Sequence, residues 1–265
     1  MHGTGSSLAC PDWPTCYGSL MPKMEGNIAI EHGHRLLATF VGMLTIVLMV
    51  MLLKQSDRYL KKLGVAALIL VIAQGLLGGL TVIYQLPDLV STAHLGTSMI
   101  FLATLTVITW KTSGMEVRAI QVAPWQRLAV IGATGIVYFQ VLLGAFVRHT
   151  GSGIVCTEFP TCFGSLWPTG IDPAVTTHML HRWMGIVAFL SIGSMPFVLK
   201  SLWMQDSRFR WVSILAAVMA VVQVDLGITS VMTALDLLWV TLHLIVAAIL
   251  LMAMVSLNVL LKQKV

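Results

Sequence analysis

Apolar residues fall into seven long runs, at roughly 34–53, 64–85, 89–110, 125–147, 181–199, 211–232 and 237–261, each closed off by a short polar stretch. Each run is close to the roughly 20 residues that an α-helix needs to cross the hydrocarbon core of a bilayer. The pattern predicts an all-α polytopic membrane protein with seven transmembrane helices. Composition strengthens this reading, because 57% of the 265 residues are hydrophobic and only 10% are charged, against about 25% charged in soluble domains. So much apolar surface cannot be hidden in one soluble core, and the lipid bilayer must act as its solvent. The 22 glycines fit as well, since small residues let membrane helices approach closely.

The net charge of +5 is no nucleic-acid signal, because the basic residues are scattered between apolar runs and form no patch. Their positions report orientation instead. Of the 16 Lys and Arg residues, only Lys23, Arg35, Arg148 and Arg182 lie on one side of the membrane, together with most of the acids. The rest, Arg118, Lys262 and Lys264 among them, lie on the other. The positive-inside rule then places 54–63, 111–124, 200–210 and the C-terminus in the cytoplasm, and 1–33, 86–88, 148–180 and 233–236 outside. Met1 leads straight into a polar Gly/Ser/Cys segment, which does not read as a cleavable signal peptide.

An internal repeat fixes the architecture. Residues 4–22 read TGSSLACPDWPTCYGSLMP and residues 150–168 read TGSGIVCTEFPTCFGSLWP, aligned without a gap. Each is followed by a His-Arg pair, His34-Arg35 and His181-Arg182. Gln74 then precedes His94 by 20 residues, and Gln223 precedes His243 by 20. The halves are 1–113 and 125–265, joined by a cytoplasmic linker over 114–124. The second half begins with a helix over 125–147 that has no counterpart before the first repeat. Two homologous bundles in a four-plus-four design, lacking the first helix, are the expected architecture.

Histidine carries the candidate chemistry. Seven of the eight (His32, His34, His94, His149, His178, His181 and His243) and also His2 lie in the outward loops or the outer parts of helices. Polar groups at membrane depth are costly and usually face a bundle interior. One such histidine alone reads as an interhelical hydrogen bond, but here two pairs recur in equivalent places. His34 and His181 are expected to open their helices, with His94 and His243 about six residues, or roughly 9 Å, into theirs. Two imidazoles at similar depth on neighbouring helices can ligate a haem iron from opposite faces. Structural zinc is the competing metal, with four N or S ligands, although cysteines facing an oxidising compartment favour disulfides. Arg35 and Arg182 suit haem propionates; snorkelling to the interface is the alternative.

The four cysteines form two Cys-x5-Cys units, Cys10/Cys16 and Cys156/Cys162, expected as two local disulfides. Each is either a loop staple or a redox-active pair. The halves differ at two informative places. Glu31 stands three residues before His34, where His178 precedes His181. A carboxylate beside the first pair can take protons or stabilise positive charge, or it can simply favour a helix N-terminus. Asp225 replaces Leu76 inside a membrane helix, as a buried hydrogen-bonded acid or as a proton relay. His32 and His149 are candidate polar groups at the pocket mouths.

The TGSG-x3-C-x5-C loop, the Glu-x2-His-Arg at the next helix, the Ala-His within 89–110 and the repetition of the scheme resemble the haem A synthase family. The resemblance covers the whole chain apart from the first helix. It implies oxidation of a methyl group of haem O to a formyl group, giving haem A for haem–copper terminal oxidases. It implies that His34 and His94 bind the substrate haem O in the N-terminal half and that His181 and His243 hold a resident haem b in the C-terminal half. Glu31 would take part in catalysis, and Cys10 and Cys16 would form a disulfide implicated in the reaction. The implied setting is the plasma membrane of a prokaryote. A haem O synthase and an electron donor would be partners there, and a homo-oligomer is a further option. A non-catalytic di-haem b-type electron-transfer cytochrome explains the four histidines equally well but leaves Glu31 without a role. A haem carrier or insertion factor is a third reading.

Overall fold

The computed structural model describes residues 6–115, 120–168 and 172–261. His2, Thr4 and Gly5 of the first repeat, Arg118, Lys262 and Lys264 lie outside the described residues. Among those described there are seven long helices: α1 (Gly26–Leu53), α2 (Arg58–Ile83), α3 (Asp88–Thr112), α4 (Pro124–His149), α5 (Pro173–Gly193), α6 (Ser207–Met232) and α7 (Leu237–Leu261). All seven, with α5 taken through to Leu202, are long and apolar enough to cross a membrane. Helices are the natural solution there, because lipid offers no partners for backbone N–H and C=O groups.

Local chemistry sets the ends. Asp57, Asp172 and Asp206 cap α2, α5 and α6 by accepting the amides of Tyr59, Ala174 and Arg208 at 2.7, 2.8 and 2.9 Å. Pro124 and Pro173 stand at the first helical positions of α4 and α5, where a missing N–H costs nothing. α5 is interrupted at Ser194, and the chain continues as a short helical turn, Met195–Val198. Pro196 accounts for the break, since its ring clashes with the carbonyl four residues earlier and it donates no bond.

α1 and α5 each begin eight residues before the histidine that was expected to open them. The apolar run underestimates both helices, because their outer turns carry polar residues that are buried. Glu31, His32 and His178 are all buried there, each beneath the preceding cysteine loop.

The chain forms two compact units, Met1–Ile108 and Thr109–Val265. In the first, Leu52, Leu60, Ala67 and Ile108 form a buried cluster at the end of the helices away from the cysteine loop. In the second, α7 is the central element, with 61% of its apolar span buried. The repeat is visible in backbone detail. Gln85 and Leu86 take φ of 56° and 63°, and Ala234 and Leu235 take 52° and 64°, in the tight connections after α2 and α6.

Candidate functional site

Each unit carries a cysteine loop of the same construction. Disulfides join Cys10 to Cys16 and Cys156 to Cys162. Just beyond each, backbone bonds pair Cys16 with Ser19 and Cys162 with Ser165. The intervening Tyr17-Gly18 and Phe163-Gly164 all have positive φ, as a tight two-residue reversal requires.

An arginine fastens each loop to the helix below. Arg35 Nη1 donates to the carbonyls of Asp12 (2.8 Å) and Thr15 (2.6 Å), and Nη2 donates to Glu31 Oε1 at 2.6 Å. Arg182 makes the equivalent bonds to the carbonyls of Glu158, Thr161 and Cys156, each at 2.8 Å. It also sits over the Phe159 ring at 5.8 Å. Both guanidiniums thus bond loop carbonyls, a role the sequence reading did not foresee. Arg148, half-buried at the outer end of α4, has no hydrogen bond or ion pair among the described residues.

Glu31 is 1% exposed, and both of its oxygens are engaged: Oε1 by Arg35, and Oε2 by the Cys10 amide at 2.9 Å. It lies beyond the first turn of α1, so the helix N-terminus does not explain it. At the equivalent place His178 is also buried, with Nδ1 2.8 Å from the Ser152 carbonyl. Trp13 seats the first loop on α2, its indole so close that a Cβ at Gly79 would lie 2.9 Å from the ring.

The histidine pairs lie below these loops. His34 stands about 12 Å along α1 from its start and His94 about 9 Å along α3, at 1.5 Å per residue. The spacing is the same for His181 on α5 and His243 on α7. In each unit the two imidazoles lie within electrostatic range of each other. The Gln74 amide nitrogen lies 3.4 Å from His94 Nε2, and that of Gln223 lies 3.2 Å from His243 Nε2. In α4, Gln140 Nε2 lies 3.0 Å from His181 Nδ1 and donates to the His181 carbonyl at 2.9 Å.

Glycines make room for the rings. A Cβ on Gly78, Gly144 or Gly227 would approach Cε1 of His94, His181 or His243 to 3.2, 2.9 and 3.0 Å. Gln140 and these three glycines were missed from sequence. Gln74 and Gln223 were noticed only as repeat landmarks, although their shared spacing to a histidine was the available signal.

Buried polar atoms without partners cluster at the same places: Nδ1 of His94 and His243, and Oε1 of Gln74, Gln140 and Gln223. Native interiors leave few such atoms unpaired. Imidazole nitrogens on two helices of each unit, with orphaned polar atoms beside them, fit a haem iron in the donor chemistry they offer. His32 is buried against the first disulfide and is not at a pocket mouth. His149 is half-buried. Asp225 is exposed on α6 with no hydrogen-bond partner among the described residues, so it is not a buried hydrogen-bonded acid.

Fold and site together define a duplicated multi-pass membrane protein that carries a histidine pair under a disulfide loop in each repeat. The COX15-CtaA family model, described as cytochrome oxidase assembly protein, matches residues 2–255. The chain belongs to this family. It is 31% identical over 241 residues to the heme A synthase of Symbiobacterium thermophilum, covering 87% of this chain and 78% of that protein. It is 30% identical to that of Alkalihalophilus pseudofirmus, covering 87% and 80%. Over a shorter stretch, 71% of this chain and 65% of the relative, it is 34% identical to that of Exiguobacterium sibiricum.

Proposed function

We propose that this protein is a haem A synthase that oxidises a methyl group of haem O to a formyl group, the product serving haem–copper terminal oxidases. The observation that carries the reading is the recurrence of one histidine-pair arrangement in two units that differ at Glu31, in a chain whose relatives bear that name. In the second unit, His181 and His243 hold a resident haem b, with Gln140 and Gln223 orienting the two rings. Arg148, lacking a protein partner among the described residues, suits a propionate there. In the first unit, His34 and His94 bind haem O. Haem iron supplies the oxidising chemistry, and the chain supplies position and electrostatics.

Glu31 is the acidic group nearest that pair along α1. With Arg35 it holds the Cys10–Cys16 loop over the substrate seat, and its negative charge favours positive charge developing at the reacting centre. Glu31 and the Cys10–Cys16 disulfide therefore belong to the reactive half, and the 156–162 disulfide is a staple. The excess of basic residues on one side supports a plasma-membrane orientation with a cytoplasmic C-terminus and outward cysteine loops. A haem O synthase and an electron donor complete the implied pathway, with self-association as a further option.

Supplying haem O and reductant to the purified protein and weighing the extracted haems tests the activity. Hydroxymethyl and formyl products are expected. Their absence under a working electron supply would overturn the reading in favour of a di-haem electron-transfer cytochrome, the alternative that the histidines alone allow.

A further inference from the structure

Cys10, Cys16 and His32 are all buried, and their potential donor atoms lie within 4.8 Å of one another. His32 is 3% exposed, with Nε2 3.1 Å from the Leu20 carbonyl and Nδ1 buried without a partner. A carbonyl only accepts, so Nε2 donates to it, and Nδ1 is left buried with no partner. The second unit shows that the space does not require an imidazole. Three residues after Glu31 comes His34, and three after His178 comes His181, so the counterpart of His32 is Met179. That side chain packs against Cys156 and Cys162 in an apolar cluster. One disulfide is sealed in hydrocarbon and a thioether; the other has an imidazole beside it.

We propose that reduction of the Cys10–Cys16 disulfide creates a zinc site formed by the two thiolates and the His32 imidazole. A dithiol reductant breaks the S–S bond by exchange, is itself oxidised to a disulfide, and leaves its two protons on Cys10 and Cys16 as thiols. Zn²⁺ then displaces those two protons to solvent and takes two sulfurs at about 2.3 Å and one nitrogen at about 2.0 Å. Water fills the fourth position. Two thiolates cancel the dication, which lets a buried site stay neutral as a whole. Thiolate and imidazole are the ligands zinc favours, and a thioether at the corresponding place in the second loop is a poor zinc ligand. The metal would keep the loop closed over Glu31 and Arg35 when the covalent link is absent. The inference does not depend on the haem reading, since no haem ligand takes part.

The test uses the full chain in detergent with its native complement of haem. It is reduced with a dithiol, desalted without oxygen, and titrated with Zn²⁺ against a chromophoric chelator, with Co²⁺ as the optical probe. One Zn²⁺ per chain is expected after reduction and none at the same concentration before it; the oxidised sample controls for every histidine. Co²⁺ should show thiolate charge-transfer absorption. His32→Met, which installs the residue the second loop uses, should weaken binding by more than about 100-fold, beyond the 10–100-fold that losing an outer-shell partner costs. Cys16→Ser should halve the charge-transfer intensity in a chain that keeps His32. The double variant Cys156→Ser/Cys162→Ser should retain the full stoichiometry. Equal binding by oxidised and reduced protein, undiminished affinity in His32→Met, or loss of the site in the Cys156/Cys162 variant would each overturn the proposal.

Discussion

His181 and His34 occupy equivalent turns of α5 and α1, yet their surroundings differ. Gln140 on α4 reaches both the ring and the carbonyl of His181, and Gly144 on the same helix lets the ring come close. His34 is exposed and has no hydrogen-bond partner among the described residues. The helices around it bury only 11–17% of their apolar spans, against 22–61% for α4–α7. Charge is distributed the other way. The first unit holds a Glu31–Arg35 ion pair under its loop, where the second has His178. A ring held from several sides suits a group that stays, because preorganisation removes the ordering cost of binding. An open ring beside a buried carboxylate suits a substrate that must enter and leave.

The most severe way to break this comparison is to remove one imidazole from each unit. His181→Ala or His243→Ala should abolish the resident haem b spectrum of the purified protein. His34→Ala should keep that spectrum and lose turnover. Full haem b content in the His181 variant would reverse the assignment of the two seats.

Glu31→Ala comes next. It strips the Cys10 amide of its acceptor and removes the ion-pair partner of the partly buried Arg35; breaking a buried pair costs about 3–5 kcal/mol, and less where one partner is partly exposed. The first loop should loosen, so Cys10–Cys16 should be reduced faster than in the parent chain while Cys156–Cys162 keeps its rate. Mass analysis after alkylation separates the two. Equal rates in variant and parent would mean that Glu31 does not hold the loop.

Gln140→Leu tests whether the second seat is preorganised from α4. Outer-shell partners of ligating histidines typically contribute 10–100-fold in affinity, so haem b retention on dilution should fall within about that range and its midpoint potential should move. Gly144→Ala should act in the same direction but less. Its new Cβ would stand 2.9 Å from His181 Cε1, and crowding of this kind costs about 1–3 kcal/mol. Gly78→Ala, at 3.2 Å from His94, should disturb its ring less. A larger effect at Gly78 would contradict the idea that the second seat is the more tightly built.

Much of this was legible in the sequence, and the parts that were not share a cause. The seven helices and the two histidine pairs follow from apolar runs and an internal repeat, which depend on residue type and spacing alone. The early starts of α1 and α5 do not, since burial of Glu31, His32 and His178 is supplied by a loop packed over them. Arg35 and Arg182 stood out beside the histidines but not as clamps, because their partners are backbone carbonyls, which every residue carries. Gly144 and Gln140 escaped because α4 has no partner repeat in the sequence against which to align them. Met179 looked like any core methionine until it was seen against Cys156 and Cys162.

The smallest expected effect lies at the loop tips, where the two units again differ. The Asp12 carboxylate accepts from the Thr15 hydroxyl and from the amides of Gly18 (2.9 Å) and Tyr17 (2.6 Å). Glu158, its counterpart, accepts among the described residues from the Gly164 amide alone, at 2.7 Å. The Thr15 bond first, and then those amides, hold the Asp12 carboxyl below the ordinary aspartate value of 3.8. A carboxyl depressed in the folded state stabilises that state fully above its unfolded value, and the contribution disappears as pH falls through the folded one. The Tyr17 amide should therefore exchange hydrogen more slowly than the Phe163 amide near neutral pH, after correction for intrinsic rates. That difference should vanish on acidification to well below 3.8, and Asp12→Asn should reduce it near neutral pH. Because the Asp12 carboxylate bonds only within its own turn among the described residues, the change should remain confined to that turn, leaving the Cys10 amide, held by Glu31, unaffected. Equal protection of Tyr17 and Phe163 at neutral pH would show that the extra Asp12 bonds do not stiffen the first loop relative to the second.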